Sequence, residues 1–194
     1  MLIGFTGAQS TGKSTLLSKM VSDPSYRKCT FIKEVTRKVA KRGLTINELG
    51  TNETQLFILN EHLYNHHLKG CTVLDRCILD GLIYTEYLYD TGQVDKWVRD
   101  YAQNLYKLIV NKLDIIFYTD PVDVPLIDDN TRSSNIEFRD NIIKRYDQLF
   151  RIGGSGRLDD TDLNVIKKIV HLRGDVETRY NQIKETFKNY DKTR

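Results

Sequence analysis

The stretch Gly7-Ala8-Gln9-Ser10-Thr11-Gly12-Lys13-Ser14 decides the fold of this chain. It follows a short apolar run, residues 2–5, and it opens a segment, residues 13–20, whose apolar residues recur at helical spacing. A strand, a turn of the form G-x-x-x-x-G-K-[ST] and a helix, in that order, are the setting of a phosphate-binding loop, or P-loop. The sequence therefore predicts an α/β protein built around an anion site.

The residue types of this loop each have a physical reason. Gly7 and Gly12 allow backbone angles and close approaches that a side chain would prevent. Backbone N–H groups at the start of the helix surround a phosphate, Lys13 reaches the β- and γ-phosphates, and the Ser14 hydroxyl is a ligand for Mg²⁺. The predicted cofactors are ATP and Mg²⁺. The predicted cofactor-binding residues are Gly7, Ala8, Gln9, Ser10, Thr11, Gly12, Lys13, Ser14 and Thr15.

Strand-like and helix-like segments alternate along the whole chain. The predicted strands are residues 2–5, 29–32, 71–74, 114–118 and 168–171. The predicted helices are residues 13–20, 52–68, 79–89, 94–110, 136–150 and 176–190, and residues 151–164 are predicted to form a loop. This alternation favours a five-stranded parallel sheet with helices on both faces. We expect a single P-loop kinase domain, 1–194, with a helical lid at about 121–150.

Composition limits the class of protein. The chain has 194 residues, a net charge of +3 and no apolar run long enough to cross a membrane. The mildly basic balance permits anionic ligands and is weaker than that of a dedicated nucleic-acid binder. Three cysteines, without a CxxC pair, predict no disulfide framework, and with the lack of a signal-peptide pattern they indicate a cytoplasmic protein. His62 and His66 are expected to belong to an ordinary helix face rather than a zinc site.

Two other classes of P-loop protein fit less well than a kinase. Asn111-Lys112-Leu113-Asp114 matches the guanine-reading N-K-x-D of GTPases, but it precedes a predicted strand instead of following one. Asp75-Arg76-Cys77-Ile78 lacks the glycine of a D-x-x-G switch. A motor ATPase usually has a longer chain and a strand that ends in Asp-Glu, whereas residues 72–74 lead into Asp75-Arg76.

The order of motifs resembles that of NadR-type ribosylnicotinamide kinase domains and related small P-loop nucleoside and nucleotide kinases. Glu34-Val35-Thr36-Arg37 resembles the E-x-x-R of that family, and Gln55 falls where such kinases carry a glutamine. Residues 128–133, Asp-Asp-Asn-Thr-Arg-Ser, are similar to D-D-G-x-R-S, and Arg179-Tyr180-Asn181-Gln182 is similar to R-[YF]-x-Q. Two departures are Gln9, in place of an acidic residue, and Asp75-Arg76, which is more like the D-R of thymidylate and deoxynucleoside kinases.

The resemblance implies transfer of the ATP γ-phosphate to a nucleoside-like or nucleotide-like acceptor. Glu34 and Asp75 follow strands, so they are expected at the ligand edge of the sheet; one would take the acceptor proton and the other would hold Mg²⁺, in an order left open. The predicted catalytic residues are Lys13, Glu34, Asp75, Arg132 and Arg139, the last two from the lid. The predicted substrate-binding residues are Arg37, Gln55, Arg76 and Asp129, and the predicted metal ligands are Ser14 and Asp75.

Two alternative functions use the same site. A kinase acting on a hydroxyl of a polynucleotide or modified DNA base would need a continuous basic groove, for which the best candidates are Lys33, Arg37, Lys38, Lys41 and Arg42. A nucleotide-binding regulatory module with weak ATPase activity would be favoured if Glu34 and Asp75 faced away from the P-loop. A small-molecule acceptor is the favoured partner, no membrane partner is expected, and the oligomeric state stays open.

Overall fold

One parallel sheet of five strands forms the centre of the protein, as predicted. The computed structural model describes residues 1–122, 135–150 and 160–192. The strands are β1 (Leu2–Thr6), β2 (Cys29–Ile32), β3 (Cys71–Asp75), β4 (Ile115–Thr119) and β5 (Ile169–Leu172). They are all parallel and lie in the order β2-β3-β1-β4-β5. The strand that carries the P-loop is therefore central, and its two neighbours come from later in the chain.

Helices cover both faces of this sheet. They are α1 (Lys13–Ser22), α2 (Val35–Ala40), α3 (Asn52–Asn65), α4 (Ile78–Asp90), α5 (Lys96–Ile109), α6 (Ile136–Phe150), α7 (Asp160–Ile166) and α8 (Val176–Lys192). Short 3₁₀ turns occupy Pro24–Tyr26, Asn47–Leu49 and Val110–Lys112. β1 is buried along its full length, with Ile3 and Phe5 in the cluster formed with α1 and α8, and Leu2 in the cluster formed with α3, α4 and α5.

Two helices were not predicted. α2 is a helix of six residues, too short to give a periodic signal, and it is held by Val35 and Val39, which pack against Ile58 of α3. α7 begins at Asp160, inside the segment predicted to be a loop, so that prediction is wrong for the end of the segment. Residues 151–159 lie outside the described part of the chain.

The prediction that the cysteines form no disulfide is wrong. Cys29 and Cys71 are register partners on the adjacent strands β2 and β3, and the structure joins them in a disulfide with a Cα–Cα distance of 4.5 Å. Their separation of 42 residues gives no local signal, because only the pairing of the strands brings them together. The cytoplasmic location rested partly on the cysteines and stays a prediction. Within the described ranges, no helix is long and apolar enough to span a membrane.

The Asp114 carboxylate stabilises the start of the central strand. It accepts hydrogen bonds from the Leu2 backbone N–H at 2.7 Å and from the Tyr190 hydroxyl at 2.6 Å. Asp114 precedes β4, so it lies at the amino ends of the strands, whereas the P-loop leaves the carboxyl end of β1. This placement agrees with the exclusion of Asn111–Asp114 as a guanine-reading motif.

His62 and His66 are buried side chains near the C-terminal end of α3. Their rings make an edge-on contact at a centroid distance of 6.2 Å. Burial lowers the pKa of His62 to about 3, with a smaller contribution from Arg76. Burial and the neighbouring His62 lower the pKa of His66 to about 3 as well. Both rings are therefore neutral in the folded protein at neutral pH.

The two histidines should make the protein sensitive to acid. Because their folded-state pKa values lie below the ordinary value of 6.5, the unfolded chain binds more protons between pH 6.5 and pH 3, and the free energy of unfolding falls as the pH is lowered through that range. Each ring contributes a slope of up to about 1.4 kcal/mol per pH unit. We expect His66→Gln to reduce the slope measured by urea unfolding at pH 6, 5 and 4.5. The matched control is His67→Gln, at an exposed ring; equal slopes for wild type and His66→Gln would contradict this assignment.

Candidate active site

The P-loop has the backbone geometry of a phosphate cradle. Gly7 has φ +132°, and a Cβ at this position would lie 2.8 Å from the Thr119 hydroxyl oxygen of β4. Gly12 has φ +86° with open space where a Cβ would point, so its backbone angle, and not crowding, requires glycine. α1 begins at the next residue, Lys13, and directs its first N–H groups into the cradle. The loop therefore fits the polyphosphate of a nucleotide.

The Lys13 side chain is turned back onto its own loop. Its ammonium donates hydrogen bonds to the carbonyl oxygens of Gly7 (2.8 Å) and Ala8 (2.6 Å) and to the Thr11 hydroxyl (3.0 Å). Burial, aided by the positive charge of Arg76, lowers the pKa of Lys13 to about 7, whereas the nearby carboxylates raise it. A bound polyphosphate would supply the negative charge that keeps this lysine protonated.

A buried arginine joins the strand ends to the P-loop. Arg76, directly after β3, donates from Nε to Glu34 Oε1 at 2.5 Å and from Nη1 to Asp80 Oδ1 at 2.6 Å. The same Nη1 donates to the Gly7 carbonyl oxygen at 3.2 Å. Although burial alone would lower it, the pKa of Arg76 is held well above its ordinary value by Tyr84 and the two carboxylates. Arg76 thus links β2, α4 and the P-loop through one guanidinium.

Asp80 is a site residue that the sequence analysis missed. Its second oxygen, Oδ2, accepts hydrogen bonds from the Thr6 hydroxyl (2.8 Å) and from the Cys77 backbone N–H (3.1 Å). The Thr6 hydroxyl is also 2.9 Å from the Tyr146 hydroxyl of α6. The spacing of Arg76 and Asp80, four residues apart at the start of a helix, is the signal that could have indicated the pair.

A pocket lies beside the P-loop, between the carboxyl ends of β2 and β3 and helices α3 and α4. Its lining residues are Glu34, Thr36, Asn47, Gln55, Ile58, His62, Arg76, Asp80, Gly81 and Tyr84. Three predicted site residues, Glu34, Gln55 and Arg76, therefore meet in one place. The Gln55 amide is fixed because its oxygen accepts a hydrogen bond from the Thr85 hydroxyl at 3.0 Å. The Tyr84 hydroxyl donates to Gln9 of the P-loop at 3.3 Å, which connects the pocket to the phosphate cradle.

A family model described as an AAA domain matches residues 2–179, which is most of the chain. The chain belongs to this AAA domain family. Family membership accounts for the P-loop and its parallel sheet and leaves the reaction open, since one fold of this kind serves several activities. No curated protein sequence matches the chain.

Solved structures show which P-loop proteins share this fold. Deoxyadenosine kinase from M. mycoides, solved with dCMP and dCDP, is 15% identical with a TM-score of 0.69, and the match covers 98% of this chain and 100% of that one. The same enzyme with dCTP is 18% identical, with a TM-score of 0.62 and coverage of 97% and 100%. NadR in complex with NAD and AMP-PNP is 16% identical with a TM-score of 0.65; the match covers 95% of this chain and 48% of NadR. The predicted resemblance in fold to these small P-loop kinases is confirmed.

The two predicted metal ligands lie at the carboxyl edge of the sheet, where the P-loop leaves β1. Ser14 is in the first turn of α1, and Asp75 ends β3. Burial and the neighbouring Glu34 raise the pKa of Asp75 to about 6, against the opposing effects of Arg76 and Lys13. Among the described residues, no group of three or more His, Cys, Asp or Glu side chains could hold a metal ion. The donor set fits Mg²⁺ bound jointly by one hydroxyl, one carboxylate and a nucleotide.

The other predicted substrate-binding and catalytic residues that the structure describes are not among the residues that line the pocket. Arg37 is 43% exposed and donates from Nε to Glu34 Oε2 at 3.2 Å, at the outer side of the pocket. Arg139 is half-buried in the first turn of α6 and is not among the residues that line the pocket. Arg132 and Asp129 lie outside the described residues. From Asn135 onward the predicted lid is attached to the domain, because Phe138, Ile142 and Tyr146 of α6 pack in one cluster with Ala8 of the P-loop.

Removal of the Arg76 guanidinium should destabilise the domain strongly. We expect Arg76→Met to lower the free energy of unfolding by about 3–5 kcal/mol, because Glu34 and Asp80 would stay buried without their shared cation. The control is Arg37→Met, which removes the exposed partner of the same Glu34 and should cost less than about 1 kcal/mol. Urea unfolding followed by circular dichroism measures both; similar costs for the two variants would contradict the role given to Arg76.

Proposed function

We propose that this protein is an ATP-dependent kinase that transfers the γ-phosphate to a hydroxyl group of a nucleoside-like acceptor. The observation that carries the proposal is the position of Glu34: its carboxylate lines the pocket beside the P-loop and is joined through Arg76 to the Gly7 carbonyl oxygen. Phosphoryl transfer uses a phosphate cradle and a side chain that orients the attacking hydroxyl, and this arrangement offers both. The likeness in fold to a deoxyadenosine kinase and to NadR supports it.

In this proposal the P-loop binds the triphosphate of ATP. The N–H groups at the start of α1 hold the phosphates, and Lys13 moves from its own loop carbonyls to the β- and γ-phosphates. Mg²⁺, held by Ser14 and Asp75, would neutralise charge on the phosphate oxygens. Asp75 is better suited to this role than Glu34, because it is not among the residues that line the acceptor pocket.

Glu34 is then the residue that takes the proton of the acceptor hydroxyl. Its two oxygens are held by Arg76 Nε at 2.5 Å and Arg37 Nε at 3.2 Å, so the carboxylate has a fixed orientation toward the pocket. Gln55 and Tyr84 line the same pocket and would hold the rest of the acceptor. A heterocycle suits them, because an amide offers hydrogen bonds and a ring offers a stacking face.

The charge of the pocket favours a nucleoside over a nucleotide. Arg76 is the only cation among the described residues that line it, and its Nε and Nη1 are already bound to the carboxylates of Glu34 and Asp80. The lining itself thus offers an acceptor phosphate two carboxylates against one cation. We expect turnover with nucleosides to exceed turnover with the corresponding monophosphates.

The alternative of a polynucleotide acceptor has less support. Of its five candidate basic residues, Arg37 is paired with Glu34, Lys38 with Glu61 at 2.7 Å, and the Arg42 guanidinium lies 5.5 Å from the centre of the Phe57 ring. The two ion pairs reduce the positive charge available for a phosphate backbone. An ATP-consumption screen across nucleosides, monophosphates, nicotinamide riboside and DNA oligomers separates the acceptors, and ATP hydrolysis without any acceptor would indicate a regulatory module.

Lys13→Ala should abolish phosphoryl transfer while the fold is kept. The lysine reaches the transferred phosphate in a P-loop, so its loss removes charge stabilisation that the reaction needs. Lys19→Ala is the control, since Lys19 lies further along α1 and pairs with Glu177 at the surface. Turnover of Lys13→Ala within tenfold of wild type, with an unchanged circular dichroism spectrum, would rule out the kinase assignment.

Glu34→Gln should lower kcat by about 10²-fold or more, because general-base assistance typically contributes 10²–10⁴. The Mg²⁺ concentration that gives half-maximal rate should be unchanged in this variant and raised in Asp75→Asn. Glu61→Gln, which removes a surface carboxylate, is the control. The roles of the two carboxylates would be reversed if Glu34→Gln alone changed the Mg²⁺ requirement.

A further inference from the structure

The stretch Arg179-Tyr180-Asn181-Gln182 of α8 contributes a side chain, Arg179, that contacts the P-loop. The Arg179 side chain is 2% exposed and lies against the P-loop. Its Nη1 donates to the Thr11 carbonyl oxygen at 3.1 Å, and its Nη2 donates to the carbonyl oxygens of Asp120 (3.0 Å) and Val122 (3.2 Å). Its Nε donates to the Gly174 carbonyl oxygen at 2.7 Å. One guanidinium thus connects the P-loop, the segment after β4 and the segment after β5.

The bond to Thr11 fixes the direction of a phosphate-binding N–H group. A trans peptide unit is planar, so its C=O and the following N–H point in opposite directions. Because Arg179 holds the Thr11 carbonyl oxygen, the N–H of Gly12 points away from Arg179, which is the direction that our inference requires for a phosphate contact. Gly12 has φ +86°, and because glycine adopts positive and negative φ values with similar ease, a hydrogen bond from outside the loop helps to select one of them.

The rest of the stretch anchors Arg179 in place. The Gln182 side-chain oxygen accepts a hydrogen bond from the Arg173 backbone N–H at 3.1 Å, and Arg173 Nε donates to the Asp120 carboxylate at 2.8 Å. The Tyr180 hydroxyl donates to Asp23 Oδ2 at 2.7 Å, which connects α8 to the end of α1. The loops that follow β1, β4 and β5 are therefore held in one network with Arg179 at its centre.

We propose that Arg179 is a positioning residue of the nucleotide site: it orients the Thr11–Gly12 peptide and so prepares the P-loop for phosphate before ATP arrives. The inference rests on the proposed function, because it assumes that the P-loop binds a nucleotide polyphosphate. Arginine is required for its shape as well as its charge. Its planar fork reaches carbonyl oxygens of three separate segments at once, which a lysine ammonium on a flexible chain does not reproduce.

The test measures binding of ADP and of inorganic tripolyphosphate to the full chain by titration calorimetry, in wild type, Arg179→Met and Arg179→Lys. We expect both variants to bind both ligands about 10–100-fold more weakly, the effect of a lost charge-assisted hydrogen bond. The amide resonance of Gly12 in ¹H–¹⁵N spectra should shift on ADP binding in wild type and shift less in Arg179→Met. Recovery of wild-type affinity in Arg179→Lys would show that charge alone matters and would overturn the positioning role.

Phe187→Leu is the control for a general loosening of α8. Phe187 lies on the same helix as Arg179, but its ring packs in the core against Tyr26 and Phe117. None of the aromatic contacts of the described residues joins Phe187 to the P-loop. We expect it to lower the thermal unfolding temperature without weakening ADP binding. Wild-type affinity in a folded Arg179→Met, or equal weakening in Phe187→Leu, would refute the inference alone. Failure of wild type to bind either ligand would refute the proposed function as well.

Discussion

The buried Arg76 guanidinium is the interaction on which the site depends. It binds Glu34 and Asp80 and donates to the Gly7 carbonyl oxygen, so one side chain joins the pocket to the phosphate cradle. Arg76 has φ +79°, an unfavourable backbone conformation for a residue with a side chain. The surrounding ion pairs compensate for this strain, and they leave the Glu34 carboxylate oriented where an acceptor hydroxyl would be.

Three cationic side chains donate hydrogen bonds to carbonyl oxygens of the P-loop. Lys13 and Arg76 act on the carbonyl oxygens of Gly7 and Ala8, and Arg179 acts on that of Thr11. The bond from Arg179 holds the Thr11 carbonyl oxygen, and the trans peptide directs the N–H of Gly12 the opposite way. The carbonyl oxygens of the loop are therefore bound by its own lysine and by two arginines from distant parts of the chain.

The secondary structure followed from periodicity wherever an element was long. The five strands and the helices α1, α3, α4, α5, α6 and α8 were predicted, since a buried strand is a short apolar run and a long helix repeats its apolar residues. α2 and α7 were not, because helices of six and seven residues give too little pattern. The Cys29–Cys71 disulfide was missed, because the odd number of cysteines and the lack of a CxxC pair argued against one, and the two partners meet only through the pairing of β2 with β3.

The sequence by itself determined the phosphate site and the candidates around it. The P-loop is a continuous motif, and Glu34, Asp75 and Arg76 follow strands, so their common edge could be deduced from the parallel sheet. Only the tertiary structure decided where these side chains lie relative to the pocket. It placed Glu34 in the pocket with Gln55, left Asp75 out of the pocket lining, and introduced Asp80 and Arg179. The physical reason is that hydrogen-bond direction and burial depend on helix packing, which brings together residues as distant as Thr11 and Arg179 and has no signature in local sequence.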